Sequence, residues 1–323
     1  MAQIDYRTLG PSGLVVSTIG LGCNNFGRAG TVTESQAGTD AVIGAAIDAG
    51  VTLFDTADIY GSERGLSETL MGNALRGRRS DIVLATKFGM DMAGKNGPDW
   101  GARGSRRYVR LAVESSLRRL QTDWIDLYQL HVPDESTPIE ETLSVLDDLI
   151  TEGKVRYIGH SNLNGWQIAD AEYQAVLGAH PRFVSAQNEY SLLARSAEAE
   201  VLPAVNAYGL GFLPFFPLYN GLFTGKFSRS GGPADSRIMA QRRYLLDNAP
   251  WDTIERYETF CAERGVSMLA ATFAWLLAQP GLTSVIAGAT RPEQILQNVQ
   301  AASEWEPTAA EVAEISELFT NPS

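Results

Sequence analysis

Short apolar runs return along this chain at a nearly constant interval, and that interval restricts the fold more than any other feature. They occupy residues 18–21, 52–55, 82–87, 124–130, 155–160, 183–188, 210–214 and 283–287. They are mostly β-branched or aromatic and often apolar on consecutive positions, as strands buried on both faces are. Five of the seven spacings between their starts lie near 30 residues, the length of one βαβ unit. Helical patterns fill the intervals at 39–49, 66–75, 108–120, 139–150, 163–177 and 196–207, and several stop at a glycine such as Gly50, Gly178 or Gly209. Eight such units predict an α/β fold, a (β/α)8 TIM barrel forming one domain over residues 1–323. An open doubly wound sheet is the competing arrangement. Against it, the first run leads into Gly20-Leu21-Gly22-Cys23-Asn24-Asn25, which lacks the third glycine of G-x-G-x-x-G.

Outside the repeat, apolar runs flank Gly10-Pro11-Ser12-Gly13 and predict an N-terminal β-hairpin plugging one end of the barrel. Residues 307–319 predict an added C-terminal helix capped by Thr308, with Glu311 three residues on. Two intervals are long: one holds the Gly-rich stretch 89–107, the other residues 215–266.

Composition narrows the function. Lys plus Arg number 26 against 38 Asp plus Glu, a net charge of −12. That balance argues against nucleic acid or an anionic membrane as a partner. No apolar run approaches the ~20 residues of a membrane span, and residues 1–10 lack a signal pattern. The two cysteines exclude a disulfide scaffold and suit a reducing cytoplasm. With three histidines and no metal-ligand spacing, no metal site is expected.

In a barrel the C-terminal ends of the strands face the active site. Here they read Phe54-Asp55-Thr56-Ala57-Asp58-Ile59-Tyr60-Gly61, Thr86-Lys87, Leu130-His131, Gly159-His160-Ser161-Asn162 and Ala186-Gln187-Asn188. A lysine closing an apolar strand is costly unless paired, and Asp55 is the natural partner of Lys87. Singly, each residue has a structural explanation: a rim ion pair, a packed Tyr60, a satisfied His131. Together on three consecutive strand ends they make a usable acid site. Lys87 would lower the Tyr60 pKa from about 10 towards working pH, Asp55 would hold Lys87 charged, and His131 would polarise a carbonyl oxygen.

From about Tyr6 to Ala301 the chain resembles the aldo-keto reductase superfamily, in its bacterial and potassium-channel-β-like branches. The resemblance rests on Tyr6-Arg7-Thr8-Leu9-Gly10, Gly13-Leu14-Val15-Val16-Ser17 and Gly20-Leu21-Gly22, on the Phe54–Gly61 stretch with Leu70-Met71-Gly72-Asn73-Ala74-Leu75, on Leu117-Arg118-Arg119-Leu120 to Asp126-Leu127-Tyr128, and on His131-Val132-Pro133-Asp134. It implies a barrel binding NADP(H) in extended form and reducing a small-molecule carbonyl. Tyr60 would be the proton donor, Lys87 and Asp55 would tune it, and His131 would orient the carbonyl. Ser161, Asn162 and Gln187 would hold the nicotinamide carboxamide; a helix cap is the other reading of Ser161-Asn162. Phe215, Phe216, Pro217, Leu218, Gly221 and Lys226 match the loop that covers nicotinamide and pyrophosphate, with Phe216 in place of a usual Ser. Gly288, Ala289, Thr290, Arg291, Gln294, Gln297 and Asn298 match the adenosine end. Many family members have Lys where Gly288 stands and Arg where Gln294 stands, which leaves Arg291 to read a 2′-phosphate. The resemblance implies NADP(H) over NAD(H), and the two missing cations leave NAD(H) as the alternative. Gly22, Cys23 and Asn24 follow the first strand beside the cofactor; taken by itself, Cys23 reads first as a small buried apolar residue.

Lesser expectations are that His160 packs behind the site or forms a substrate edge rather than binding a metal, that Asn24, Trp100 and Tyr219 border the substrate, and that the basic run from Arg76 to Arg79 is a solvated helix end. A homo-oligomer is compatible with the sequence. Two other function classes compete: a cofactor-sensing regulatory subunit, as in the channel-β-like relatives, and a phosphate-binding barrel isomerase.

Overall fold

The computed structural model describes residues 4–234 and 236–320. Strands β1 (Tyr6–Thr8) and β2 (Val15–Ser17) form the antiparallel hairpin. Eight parallel strands follow: β3 (Ile19–Gly22), β4 (Leu53–Asp55), β5 (Val83–Phe88), β6 (Ile125–Leu130), β7 (Val155–Ser161), β8 (Ser185–Gln187), β9 (Gly211–Phe212) and β10 (Val285–Gly288). They lie in the order β10-β3-β4-β5-β6-β7-β8-β9. The two edges meet, because Phe212 N donates to Gly281 O (2.8 Å), Thr283 N to Phe212 O (2.9 Å) and Ile286 N to Pro214 O (3.2 Å). All eight sequence-predicted strands are present, and the barrel replaces the open sheet as the arrangement.

The helices are α1 (Gln36–Asp48), α2 (Leu66–Ala74), α3 (Arg106–Leu120), α4 (Ile139–Thr151), α5 (Gly165–Leu177), α6 (Val201–Tyr208), α7 (Arg237–Gln241), α8 (Tyr244–Asp247), α9 (Trp251–Glu263), α10 (Met268–Leu277), α11 (Pro292–Ala302) and α12 (Ala309–Leu318). Some ends differ from the sequence reading, for local reasons. α1 starts earlier than residue 39 because the Ser35 side chain accepts the Gly38 N–H. α5 is capped by Asn164 in a box with Gln167, so Ser161 and Asn162 are not its cap. The Thr308–Glu311 box opens α12 as predicted. The long interval after β9 holds α7, α8 and α9 rather than only loop.

Two apolar layers result. Leu53, Ala85, Leu127, Leu213 and Ile286 fill the lower barrel with Leu9 and Val16 of the hairpin, which therefore plugs that end. The turn residue Gly10 has φ +54°, and a Cβ there would stand 2.7 Å from Gly211 N. A larger cluster, including Phe54, Leu84, Tyr128 and Ile158, packs strands against helices. Side chains alternate along a strand, so two residues beyond the inward Leu53, Ala85 and Leu127 come the inward Asp55, Lys87 and Gln129. The strand period itself thus carries three polar groups to the mouth. At the opposite end Arg79 and Arg156 both face the Trp124 ring (4.6 and 4.8 Å to its centroid) and bind Asp126 (2.7 and 2.8 Å). Arg79 is therefore not part of a solvated helix end; a planar guanidinium stacks and pairs at once.

Candidate active site

Lys87 is fully buried, and its Nζ donates to Asp55 Oδ2 (2.6 Å) and to Thr56 O (2.9 Å). The other Asp55 oxygen accepts from Gln129 Nε2 (3.1 Å) and Gln187 Nε2 (2.9 Å). Each strand end thus supplies one member of a closed polar network, as a buried charge requires. Lys87 Nζ lies 5.2 Å from the Tyr60 ring centroid. The Tyr60 and His131 rings meet edge to face, 5.7 Å between centroids. Burial works to lower the Lys87 pKa, but the charges and hydrogen bonds of Asp55 and Tyr60 outweigh it and hold it above its ordinary value. For Tyr60 the balance differs from the sequence expectation. Burial raises its pKa, Lys87 lowers it, and burial wins. The phenol is a proton-loaded group at neutral pH. Burial and the Lys87 charge push His131 well below its ordinary value, so its imidazole is neutral. A protonated phenol beside a neutral imidazole can present two hydrogen-bond donors to one oxygen.

These groups face a cavity of about 850 Å³. Asp55, Tyr60, His131, Ser161, Asn162 and Gln187 line it. Ser161 Oγ donates to Gln187 O (2.7 Å), and Asn162 Nδ2 donates to His131 O (2.9 Å) and Ser161 Oγ (3.0 Å). Asn162 is held at φ +60°, a left-handed conformation that asparagine tolerates. Gln187 uses its amide nitrogen on Asp55 and Gln129. The carbonyl oxygens of Asn162 and Gln187 suit an amide NH2.

The remaining predicted positions divide. Gly22, Asn24, Phe215, Phe216, Pro217, Leu218, Gly221, Lys226, Gly288, Thr290, Arg291, Gln294, Gln297 and Asn298 all line the same cavity. Cys23 and Ala289 are buried in its wall and do not. At Gly288 a Cβ would stand 2.9 Å from Asn25 Nδ2, so Asn25 occupies the space a side chain there would need. Gln294 Oε1 accepts from Thr290 N (2.7 Å) and shapes the turn before α11. No side chain caps α11 among the described residues; Pro292 carries no N–H and Gln294 N donates to Arg291 O (3.1 Å), so the first turn presents at most the Glu293 N–H to an anion. Trp100 is exposed under Arg107 (4.2 Å), and neither it nor Tyr219 lines the cavity. His160 is buried against Phe183 (5.2 Å), where burial lowers its pKa to about 3. That is the packing role expected for it.

A scan against family models gives the deciding match: the Aldo/keto reductase family covers residues 18–319. This chain belongs to the aldo/keto reductase family. Among curated relatives of this aldo/keto reductase is an uncharacterized oxidoreductase of Bacillus subtilis, 38% identical over 304 residues (92% of this chain, 91% of the relative). A probable voltage-gated potassium channel subunit beta of Oryza sativa subsp. japonica is 36% identical over 314 residues (92% and 91%). L-glyceraldehyde 3-phosphate reductase of Escherichia coli (strain K12) is 33% identical over 333 residues (98% and 92%).

Sequence reasoning missed part of this aldo/keto reductase cavity. Arg28 and Arg237 line it, and Arg237 and Arg242 face the Phe216 ring at 5.9 and 5.5 Å. Phe216 is thus an aromatic floor for two cations. Arg237 Nε is buried without a hydrogen-bond partner among the described residues, and burial with Arg28 and Arg242 nearby lowers its pKa to about 10. For Arg237 and Arg242 the signal in the sequence was the polar character of residues 228–243, which fixes no direction for any side chain; Arg28 carried none. Among the described residues no cluster of three His, Cys, Asp or Glu is arranged to hold a metal, and no single helix is long and apolar enough to cross a membrane.

Proposed function

We propose that this chain is an NADPH-dependent carbonyl reductase, a single domain acting reversibly on small aldehydes or ketones in the cytoplasm, with Tyr60 as general acid. The observation that carries the reading is the edge-to-face Tyr60–His131 pair, 5.7 Å between centroids, backed by the buried Lys87–Asp55 pair. The cavity fits a dinucleotide in its donor set: amide-reading groups at Ser161, Asn162 and Gln187, an aromatic at Phe215, and cations at Lys226, Arg237 and Arg291. Arg237, whose Nε has no hydrogen-bond partner among the described residues, would hold the pyrophosphate, and Arg291 with the α11 N-terminus the 2′-phosphate.

When bound, the reduced nicotinamide supplies a hydride to the carbonyl carbon. Tyr60 gives its proton to the carbonyl oxygen as negative charge grows there. Lys87 stabilises the tyrosinate left behind, and Asp55 keeps Lys87 in place. The neutral His131 donates to the same oxygen and sets its direction. In alcohol oxidation the tyrosinate takes the proton back.

NADPH consumption with an aldehyde panel tests the reading. Turnover that disappears in Tyr60→Phe supports it. Tight NADPH binding with no turnover of any aldehyde would favour a cofactor-sensing subunit; the rice relative is named as a probable channel subunit. Absence of any nicotinamide binding would point to the isomerase class.

A further inference from the structure

One cation of the cavity has no duty in the reading above. Arg28 sits in the loop after β3, and β3 lies between β10 and β4. That loop is tied to the one carrying Tyr60, because Ser62 N donates to Gly27 O at 2.8 Å. Gly27 N donates to Thr33 O (2.8 Å) and Thr33 Oγ1 to Asn25 O (3.0 Å), so the loop is braced from within as well. The only hydrogen bond of the Arg28 guanidinium goes from Nη2 to Asn24 O (3.1 Å), among the described residues.

Arg28, Arg237 and Arg242 share a further property. Among the described residues, none has a carboxylate within 4.0 Å, whereas Arg79, Arg119, Arg195 and Arg264 all do. The three lie near enough to depress one another: burial and Arg242 lower Arg28, and Arg28 and Arg242 act together on Arg237. Among the described residues, the charge of the Glu189 carboxylate reaches Arg242, and it forms no ion pair with it. Cations gathered in a partly buried cleft without a paired carboxylate among the described residues are costly to the free protein, and a ligand anion removes that cost. A dinucleotide occupies Arg237 and Arg291 in the reading above. Arg28 remains, braced beside the general acid, with most of its N–H fork unused. Arg242, held by Asn220 Oδ1 (2.9 Å), reinforces the positive charge there.

We propose that Arg28 reads an anionic group, phosphate or carboxylate, on the carbonyl substrate, so that the preferred substrates are small aldehydes bearing an oxyanion. The proposal rests on the reductase reading for its carbonyl and on the cleft itself for its anion. A guanidinium fork fits either oxyanion bidentately, and the two are separated by experiment.

The test compares kcat/KM for glycolaldehyde phosphate against glycolaldehyde, and for 4-formylbenzoate against 4-methylbenzaldehyde, in the wild type and in Arg28→Gln. The wild type should favour the anionic member at least 10-fold in one pair, and the pair identifies phosphate or carboxylate. Arg28→Gln should lower that ratio at least 10-fold. Ratios near one in both wild-type pairs, or a ratio untouched by Arg28→Gln, overturn the proposal. So does a loss confined to NADPH affinity, which would give Arg28 to the cofactor. Calorimetry with 2-phosphoglycolate and the protein loaded with NADP+ supplies a readout free of turnover. Anion binding there that is weakened at least 10-fold in Arg28→Gln upholds the anion site even if no aldehyde is reduced, and only the reductase reading then fails. If the aldehydes are reduced without preference and the phosphate does not bind, only the anion proposal fails.

Discussion

Lys87 Nζ and Asp55 Oδ2 stand 2.6 Å apart on adjacent strands, Lys87 fully buried and Asp55 nearly so at the cavity wall. Removing one partner of such a pair leaves the other charge buried and uncompensated. Lys87→Met should therefore cost about 3–5 kcal/mol of stability. The double variant with Asp55→Asn should cost less than the sum of the singles, a coupling that urea denaturation of all three proteins will measure. Purely additive losses would mean that the pair does not act as a unit.

Tyr60→Phe removes only the acid proton. Loss of a general acid lowers a rate by about 10²–10⁴-fold, and kcat for aldehyde reduction should fall within or beyond that range. NADPH affinity, followed by fluorescence titration, should stay within about twofold, since no cofactor contact in the reading uses the hydroxyl. Retained turnover would remove Tyr60 as the acid.

Arg291 and Arg237 should separate on the two cofactors. Arg291→Ala should weaken NADPH at least tenfold while leaving NADH nearly unchanged, because only the former carries the 2′-phosphate. Arg237→Ala should weaken both alike, because both carry the pyrophosphate. Dissociation constants for the two cofactors in the two variants decide it, and equal losses in Arg291→Ala would show that this residue does not read the phosphate.

His160 makes stability depend on pH. Its folded pKa is lowered by burial from 6.5 to about 3. Between those values the unfolded chain binds the proton and the native state does not, so stability is full above pH 6.5 and falls as pH drops towards 3. His131, also lowered by burial and by Lys87, adds to the same limb. Replacing His160 by Phe should flatten the loss between pH 6.5 and 4 relative to the wild type. Denaturation curves across that window with the same slope for both proteins would contradict the assignment.

Gly72→Ala should reverse its propensity value. In an exposed helix interior the change gains about 1 kcal/mol. In α2, however, a Cβ at residue 72 would meet the Arg119 carbonyl and stand 2.7 Å from Leu120 C, both on the backbone of α3. The expected result is a loss of about 1–3 kcal/mol, as for other overpacked contacts. A gain in Tm would show that α2 can shift away from α3 at no cost.

The eight strands, the hairpin and the Lys87–Asp55 pair were legible in the sequence because each follows from a short-range rule. A strand buried on both faces is apolar at consecutive positions, and a lysine that ends one must find an acid. The cap of α5 at Asn164 was missed because Ser161-Asn162 carries the same chemical signal three residues earlier. Only hydrogen-bond geometry tells the two apart. Likewise, that Arg79 stacks on Trp124 depends on where helix and strand ends meet, not on the charge run containing it.

The sequence alone determined the barrel, the strand ends that carry polar groups, and a net charge of −12. It did so through periodicity and composition, which act along the chain. The tertiary structure decided the sign of the Tyr60 shift, which depends on burial outweighing a nearby charge. It also brought Arg28 to Arg237 and Arg242, more than 200 residues further along the chain, with Arg28 and Arg237 lining one cavity of an acidic protein and Arg242 over its Phe216 ring. Burial and the convergence of distant side chains are properties of three-dimensional packing, and no local pattern encodes them.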